Sequence, residues 1–148
     1  TNEQANDRSG LTRFIATIDR AQDATYLADL GKSLEVPQFL RFTALEGLVN
    51  HWDMYTYTIF IINNFRLYDD PASGRFHFLP WGIDQAFKPS LRDANAKHIP
   101  LFTQTDKGGR IMRRCFALPD CKARYAKVVE EMVDHFESAG LEPLANRW

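Results

Sequence analysis

The chain has 148 residues, of which 45% are apolar and 13% aromatic, and this is enough to bury one sizeable core. Its 18 basic and 19 acidic side chains leave a net charge of −1, so there is no electrostatic reason to expect binding to nucleic acid or to an anionic membrane. The longest apolar run, near residues 59–62, is too short to cross a bilayer. We therefore expect a single globular domain over residues 1–148, without a membrane span.

The N-terminal segment reads TNEQANDRSG and resembles neither a translation start nor a signal peptide. We expect the chain to be a piece of a longer polypeptide.

Two helical segments are predicted in the first third of the chain. Apolar residues at helical spacing predict a helix from about Leu11 to Leu30, loosened near Asp23–Thr25 and ended by Gly31. A second helix is predicted from Val36 to about Asn50, because Pro37 is accepted in a first turn and the apolar residues behind it line one face.

A β-hairpin is predicted after these helices. Residues 65–68 and 75–79 are rich in aromatic residues, and the tract DDPASG between them is typical of a turn. The alternation in the second strand places Phe76 and Phe78 on one side and Arg75, His77 and Leu79 on the other.

The last third of the chain predicts an ordered loop and two helices. The loop, residues 88–109, should place Ile99, Leu101 and Phe102 back on the core. The helices should cover residues 109–118 and 119–140. The fold class that follows is α+β, mostly helical, with one hairpin that carries the candidate site residues.

Cys115 and Cys121 are the only cysteines and lie on either side of a Pro-Asp pair. This spacing fits a disulfide between two helix ends, and it also fits two free thiols in a reducing compartment.

Three polar positions are candidates for function. Asp53 follows the second helix, where a carboxylate opposes the helix dipole, so either a functional role or a local turn keeps it there. Asn63 and Asn64 begin a strand although Asn is depleted in strands, which indicates an amide held for a partner, a ligand or a simple turn. Asp84 stands among apolar neighbours and is expected to be a half-buried acid or a backbone cap.

Taken together, two carboxylates and an amide oxygen form the set of hard oxygen ligands that Mg²⁺ prefers, usually shared with phosphates. This set indicates phosphoryl transfer, in which the protein supplies position and charge neutralisation.

Three stretches carry a resemblance to a known family: FLRFTALEGLVNHWDMY, NNFRLYDDPASGRFHFLPWGIDQAF and RRCFALPDCKARY. In this order and spacing, over about residues 34–125, they resemble the CotH kinase family of secreted or surface-associated atypical protein kinases. The resemblance implies a protein-kinase-like fold, with this chain as the C-lobe and C-terminal catalytic portion. It also implies that ATP and Mg²⁺ or Mn²⁺ are used to phosphorylate Ser or Thr on a protein substrate.

The resemblance also assigns roles to single residues. Asp53 matches the Trp-Asp acid of the catalytic loop, and Asn64 matches an asparagine that would bind the metal. At the end of the second strand the family pattern is Pro-Trp-Asp-x-Asp or Pro-Trp-Asp-x-Asn, but this chain has Gly82 at the first acidic position. Either Asp84 supplies the metal-binding carboxylate, or the site is degenerate and binds nucleotide weakly or not at all; we favour the first interpretation.

The phosphates of the nucleotide have further candidate ligands in Lys88 and Arg92, although basic residues in loops are usually only solvated. The chain has no Gly-rich phosphate loop and no strand lysine of the kind found in kinase N-lobes, so we expect these elements upstream of Thr1.

The alternative to an enzyme is a non-catalytic pseudokinase-type module that uses the same frame for contacts in a surface or spore-coat-like protein. The family habit and the cysteine pair both favour an extracytoplasmic location.

Overall fold

A computed structural model describes residues 7–57, 61–87, 101–102 and 107–140 of the chain. Within these ranges there are five α-helices and one two-stranded antiparallel hairpin, which confirms the predicted α+β class. The elements in chain order are α1 Ser9–Arg20, α2 Tyr26–Leu30, α3 Val36–Leu48, β1 Phe65–Asp70, β2 Arg75–Pro80, α4 Arg110–Ala117 and α5 Pro119–Ser138. None of the helices in the described ranges is long and apolar enough to cross a membrane.

The first predicted helix is divided at the expected place. A short 3₁₀ turn, Asp23–Thr25, separates α1 from α2. The carboxylate of Asp29 accepts hydrogen bonds from the Gln22 backbone at 3.0 Å and from the Thr25 hydroxyl at 2.7 Å, and these bonds hold the break in place.

The hairpin is fastened to helix α3 through its second strand. The register pairs Phe65 with Pro80 and Asp70 with Arg75. On the other edge of β2, the side chain of Gln38 accepts a hydrogen bond from the Phe78 N–H at 3.1 Å and donates one to the Phe78 carbonyl. The backbone N–H and carbonyl of Phe78 on this edge are therefore both paired with a side chain of α3.

An aromatic cluster forms the centre of the core. The ring of Phe78 lies 4.7 Å from Phe39, 5.0 Å from Tyr55 and 5.1 Å from Phe65, between ring centroids. Phe76 and Phe78 are both buried, as the alternation in β2 predicts. Because Tyr55 belongs to the segment after α3, the cluster joins that segment to the hairpin.

Helices α4 and α5 meet at a disulfide between Cys115 and Cys121, so the first of the two alternatives for these cysteines is confirmed. Leu101 and Phe102 pack against the core as predicted, and the Phe102 ring lies 5.6 Å from that of Tyr125. Ile99 lies outside the described residues.

Candidate active site

Asp53 lies in the segment between α3 and β1, which is fixed at several points. Helix α3 ends at Leu48, slightly earlier than predicted, and Asn50 turns the chain with a φ of 53°. Trp52 is buried, and the Tyr55 carbonyl accepts a hydrogen bond from the Gly109 N–H at 2.8 Å. The segment thus holds Asp53 at a defined place beside the hairpin.

Two neighbouring asparagines bind Asp53. The side-chain amide of Asn64 donates to Asp53 Oδ2 at 3.0 Å and to the Asp53 backbone carbonyl at 2.6 Å. The side-chain amide of Asn63 also donates to Asp53 Oδ2, at 3.2 Å. The structure therefore brings together Asp53 and Asn64, the two residues predicted as catalytic acid and metal ligand.

The amide oxygen of Asn64 faces the end of the hairpin. Asn64 has a φ of 58°, and its carbonyl accepts a hydrogen bond from the Trp81 N–H at 3.1 Å. Gly82 has a φ of 61°, and a Cβ at this position would overlap Asn64 Oδ1. The space that a side chain at position 82 would need is already filled by the Asn64 amide.

Asp84 occupies a 3₁₀ turn, Ile83–Gln85, directly after Gly82. It is exposed, so the expectation of a half-buried acid was wrong. Its apolar neighbours point into solvent instead of covering it: Trp81 is 57%, Ile83 63% and Phe87 80% exposed. Asp84 lies two residues after Gly82, whose backbone faces the Asn64 amide oxygen.

Lys88 and Arg92, predicted to contact phosphate, lie outside the described residues.

Buried polar atoms without a hydrogen-bond partner concentrate around this site. Of the nine found in the described part of the chain, seven belong to residues 46–63. They include Asp53 Oδ1 and Asn63 Oδ1. Since buried polar groups in native proteins are nearly always paired, such a concentration is typical of a functional site.

Sequence reasoning missed a buried pair beneath Asp53. Glu46 and His51 are 3% and 1% exposed, and Glu46 Oε1 lies 3.8 Å from His51 Nδ1. Burial raises the pKa of Glu46 well above its ordinary value, and the nearby Tyr55 backbone offsets only part of this. Burial lowers the pKa of His51, although the charges of Asp53 and Asp84 and the Gly82 backbone act in the opposite direction. Burial therefore favours the uncharged form of both side chains.

Glu46→Gln tests the charge state of this acid. Between the unfolded and folded pKa values of Glu46 the native state holds a proton that the unfolded chain releases, so the stability of the wild type falls as pH rises. Glutamine has no proton to hold, and we expect the Tm of the variant to increase relative to that of the wild type as the pH rises above 4.5, the ordinary pKa of a glutamate.

The matched control is Glu130→Gln, which removes one glutamate charge at an exposed position of α5. A Tm difference between Glu46→Gln and wild type that does not change with pH, or that changes no more than that of the control, would show that Glu46 is not protonated.

The oxygens at the site suit a hard divalent cation. Asn64 Oδ1 and the Asp84 carboxylate are ligands of the kind Mg²⁺ accepts, and Mg²⁺ usually completes its shell with waters and phosphates. No group of three or more His, Cys, Asp or Glu residues able to hold a metal occurs within residues 7–57, 61–87, 101–102 and 107–140. Asn64 and Asp84 are thus two candidate oxygen ligands.

Comparison with known proteins identifies a family for the chain. None of the curated proteins compared with the chain matches it. The family model described as CotH kinase protein matches residues 1–148. Since the match covers the whole sequence, this chain belongs to the CotH kinase protein family.

Proposed function

We propose that the chain is the catalytic part of an atypical protein kinase, which transfers the γ-phosphoryl group of ATP to a Ser or Thr hydroxyl of a protein. Kinase family membership implies nucleotide use. The observation that carries the proposal is the double hydrogen bond from the Asn64 amide to Asp53, which leaves Asn64 Oδ1 directed at Gly82. Protein kinases use an aspartate and an asparagine of one catalytic loop for the acceptor and for a metal.

Asp53 receives the proton of the acceptor hydroxyl in this mechanism. The hydroxyl oxygen bonds to the γ-phosphorus, the bond from phosphorus to the bridging oxygen breaks, and ADP leaves with that electron pair. Oδ2 is engaged by two amides, whereas Oδ1 is buried without a partner among the described residues. Oδ1 is therefore the oxygen of Asp53 that is left to take the proton.

Asn64 and Asp84 would hold the metal. Bound Mg²⁺ or Mn²⁺ supplies positive charge that neutralises the phosphate oxygens. The exposure of Asp84 allows it to provide the carboxylate that Gly82 lacks. Lys88 and Arg92 would bind phosphate oxygens.

An oxidising, extracytoplasmic location suits the chain, because buried structural disulfides persist in such compartments. The Cys115–Cys121 bridge supports this part of the proposal.

Metal-dependent nucleotide binding is the first test. We expect Mg²⁺ with ATP to raise the Tm of the natural protein, because a ligand that binds only the native state stabilises it. Asp84→Asn should remove most of this rise while leaving the Tm without nucleotide unchanged.

Asp134→Asn is the matched control, since Asp134 is an exposed acid on α5. A wild-type Tm that does not respond to either metal with ATP would reject the kinase proposal and favour a pseudokinase-type module. A full response in Asp84→Asn would place the metal on other ligands.

A further inference from the structure

The two oxygens of the Asp53 carboxylate differ in their hydrogen bonds. Oδ2 accepts hydrogen bonds from Asn63 at 3.2 Å and Asn64 at 3.0 Å. Oδ1 is buried and has no partner among the residues that the structure describes. The carboxylate is thus fixed through one oxygen only, and the other is kept for a different group.

The two asparagines that bind Oδ2 are not equivalent. Asn64 also donates to the Asp53 backbone carbonyl, and its amide oxygen lies against Gly82. The Asn63 amide makes its hydrogen bond to Asp53 Oδ2, and its own oxygen is buried without a partner in the described part of the chain. Asn64 faces both the acid and the hairpin end, whereas the Asn63 contact is with the acid.

We propose that Asn63 is a positioning residue that sets the rotation of the Asp53 carboxylate, so that Oδ1 is the oxygen presented to the acceptor hydroxyl. This inference rests on the proposed kinase function. The terminal torsion of an aspartate is broad, and one donor leaves the carboxylate free to pivot about that bond. A second donor from the preceding residue removes this freedom.

The expected consequence is a division of roles. Removing the Asn63 amide should misplace the base without disturbing metal or nucleotide, whereas removing the Asn64 amide should affect both. Small misplacements of a reacting group cost about tenfold to a hundredfold in rate.

The experiment compares Asn63→Leu with Asn64→Leu, in which leucine has the same number and branching of side-chain heavy atoms as the asparagine it replaces. Asn63→Leu should lower kcat about tenfold to a hundredfold, with KM for ATP and the Mg²⁺ requirement unchanged. Asn64→Leu should lower kcat and also raise the Mg²⁺ concentration needed. Asn63→Gln, which keeps an amide donor, should recover part of the lost kcat.

An unchanged kcat in Asn63→Leu, or a rise in its Mg²⁺ requirement equal to that of Asn64→Leu, would overturn the proposal. Thermal melting identifies any variant that fails to fold, and in that case Asn63→Ser, which removes the amide but keeps a polar group, takes the place of Asn63→Leu.

A second readout does not depend on activity. In the wild-type protein the side-chain amide protons of Asn63 should show the NMR shift of a hydrogen bond to a carboxylate, and Asp53→Leu should remove it. A wild type without phosphoryl transfer rejects the proposed function, whereas Asn63 signals unmoved by Asp53→Leu reject the positioning role itself.

Discussion

Asp53→Asn is expected to lower the kcat of phosphoryl transfer by about 10²- to 10⁴-fold, the usual contribution of a general base. The amide has no basic oxygen, so the acceptor hydroxyl keeps its proton in the transition state. The fold should persist, because asparagine has the same shape and its oxygen can still accept hydrogen bonds from Asn63 and Asn64. The measurement is γ-phosphate transfer from labelled ATP, with Tm recorded in parallel.

The matched control is Asp69→Asn, an exposed acid of β1 that lies 3.9 Å from Arg13 and pairs with Phe76 near the turn, away from the Phe65–Pro80 end of the hairpin. It should keep the wild-type rate. If Asp53→Asn retains kcat within about threefold while the wild type is active, Asp53 is not the base and only orients the acceptor.

The hairpin and the helices could be predicted from the sequence because their signals are local. Phe76 and Phe78 lie two residues apart, and a strand places both on one face whatever surrounds it. The break between α1 and α2 was likewise indicated near Asp23–Thr25. Such patterns need no knowledge of distant contacts.

Local patterns could not decide whether Cys115 and Cys121 form a disulfide or whether Asp84 is buried or exposed. Both depend on directions that side chains take outside regular elements. The Trp81 and Phe87 side chains point into solvent, so apolar neighbours in the sequence leave Asp84 exposed.

The Glu46–His51 pair was missed, although a signal existed. Glu46 follows Phe39 and Phe42 at helical spacing and therefore falls on the buried face of α3. Burying an acid on an apolar face costs free energy, so a glutamate at this position is a candidate for a structural or functional role. Its contact with His51 depends on the path of the chain after α3, which local pattern does not show.

The roles proposed for Asp53 and Asn64 came from the family resemblance, and the structure adds the hydrogen bonds between them. It also adds Asn63, for which the sequence offered only the oddity of two amides before a strand. The side-chain amides of Asn63 and Asn64 make different contacts, and this difference depends on the tertiary structure, which local sequence does not show.

Gly82→Asp tests whether the acid typical of the family can be restored at this position. We expect the substitution to lower both stability and activity, because the new Cβ would overlap Asn64 Oδ1. Asn64 can move only by giving up its hydrogen bonds to Asp53. The loss in the free energy of unfolding should be about 3 kcal/mol, combining the lost bonds with the left-handed backbone.

Gly74 provides a matched control for the backbone contribution. It has a φ of 66°, close to that of Gly82, and a Cβ there would meet nothing within 4 Å. Gly74→Asp should therefore cost only about 1 kcal/mol, and phosphoryl transfer should be unaffected. The difference between the two variants, measured by denaturant unfolding, isolates the contact with Asn64.

The activity of Gly82→Asp then separates two views of the site. A lower kcat than wild type would mean that the Asn64 amide, together with Asp84, does the work that an acid at position 82 would otherwise do. A higher kcat, reached despite the lost stability, would mean that Asn64 yields and that the chain had only a weakened metal site. Equal stability losses at positions 82 and 74 would show that the Asn64 amide is free to move and is not held in one orientation.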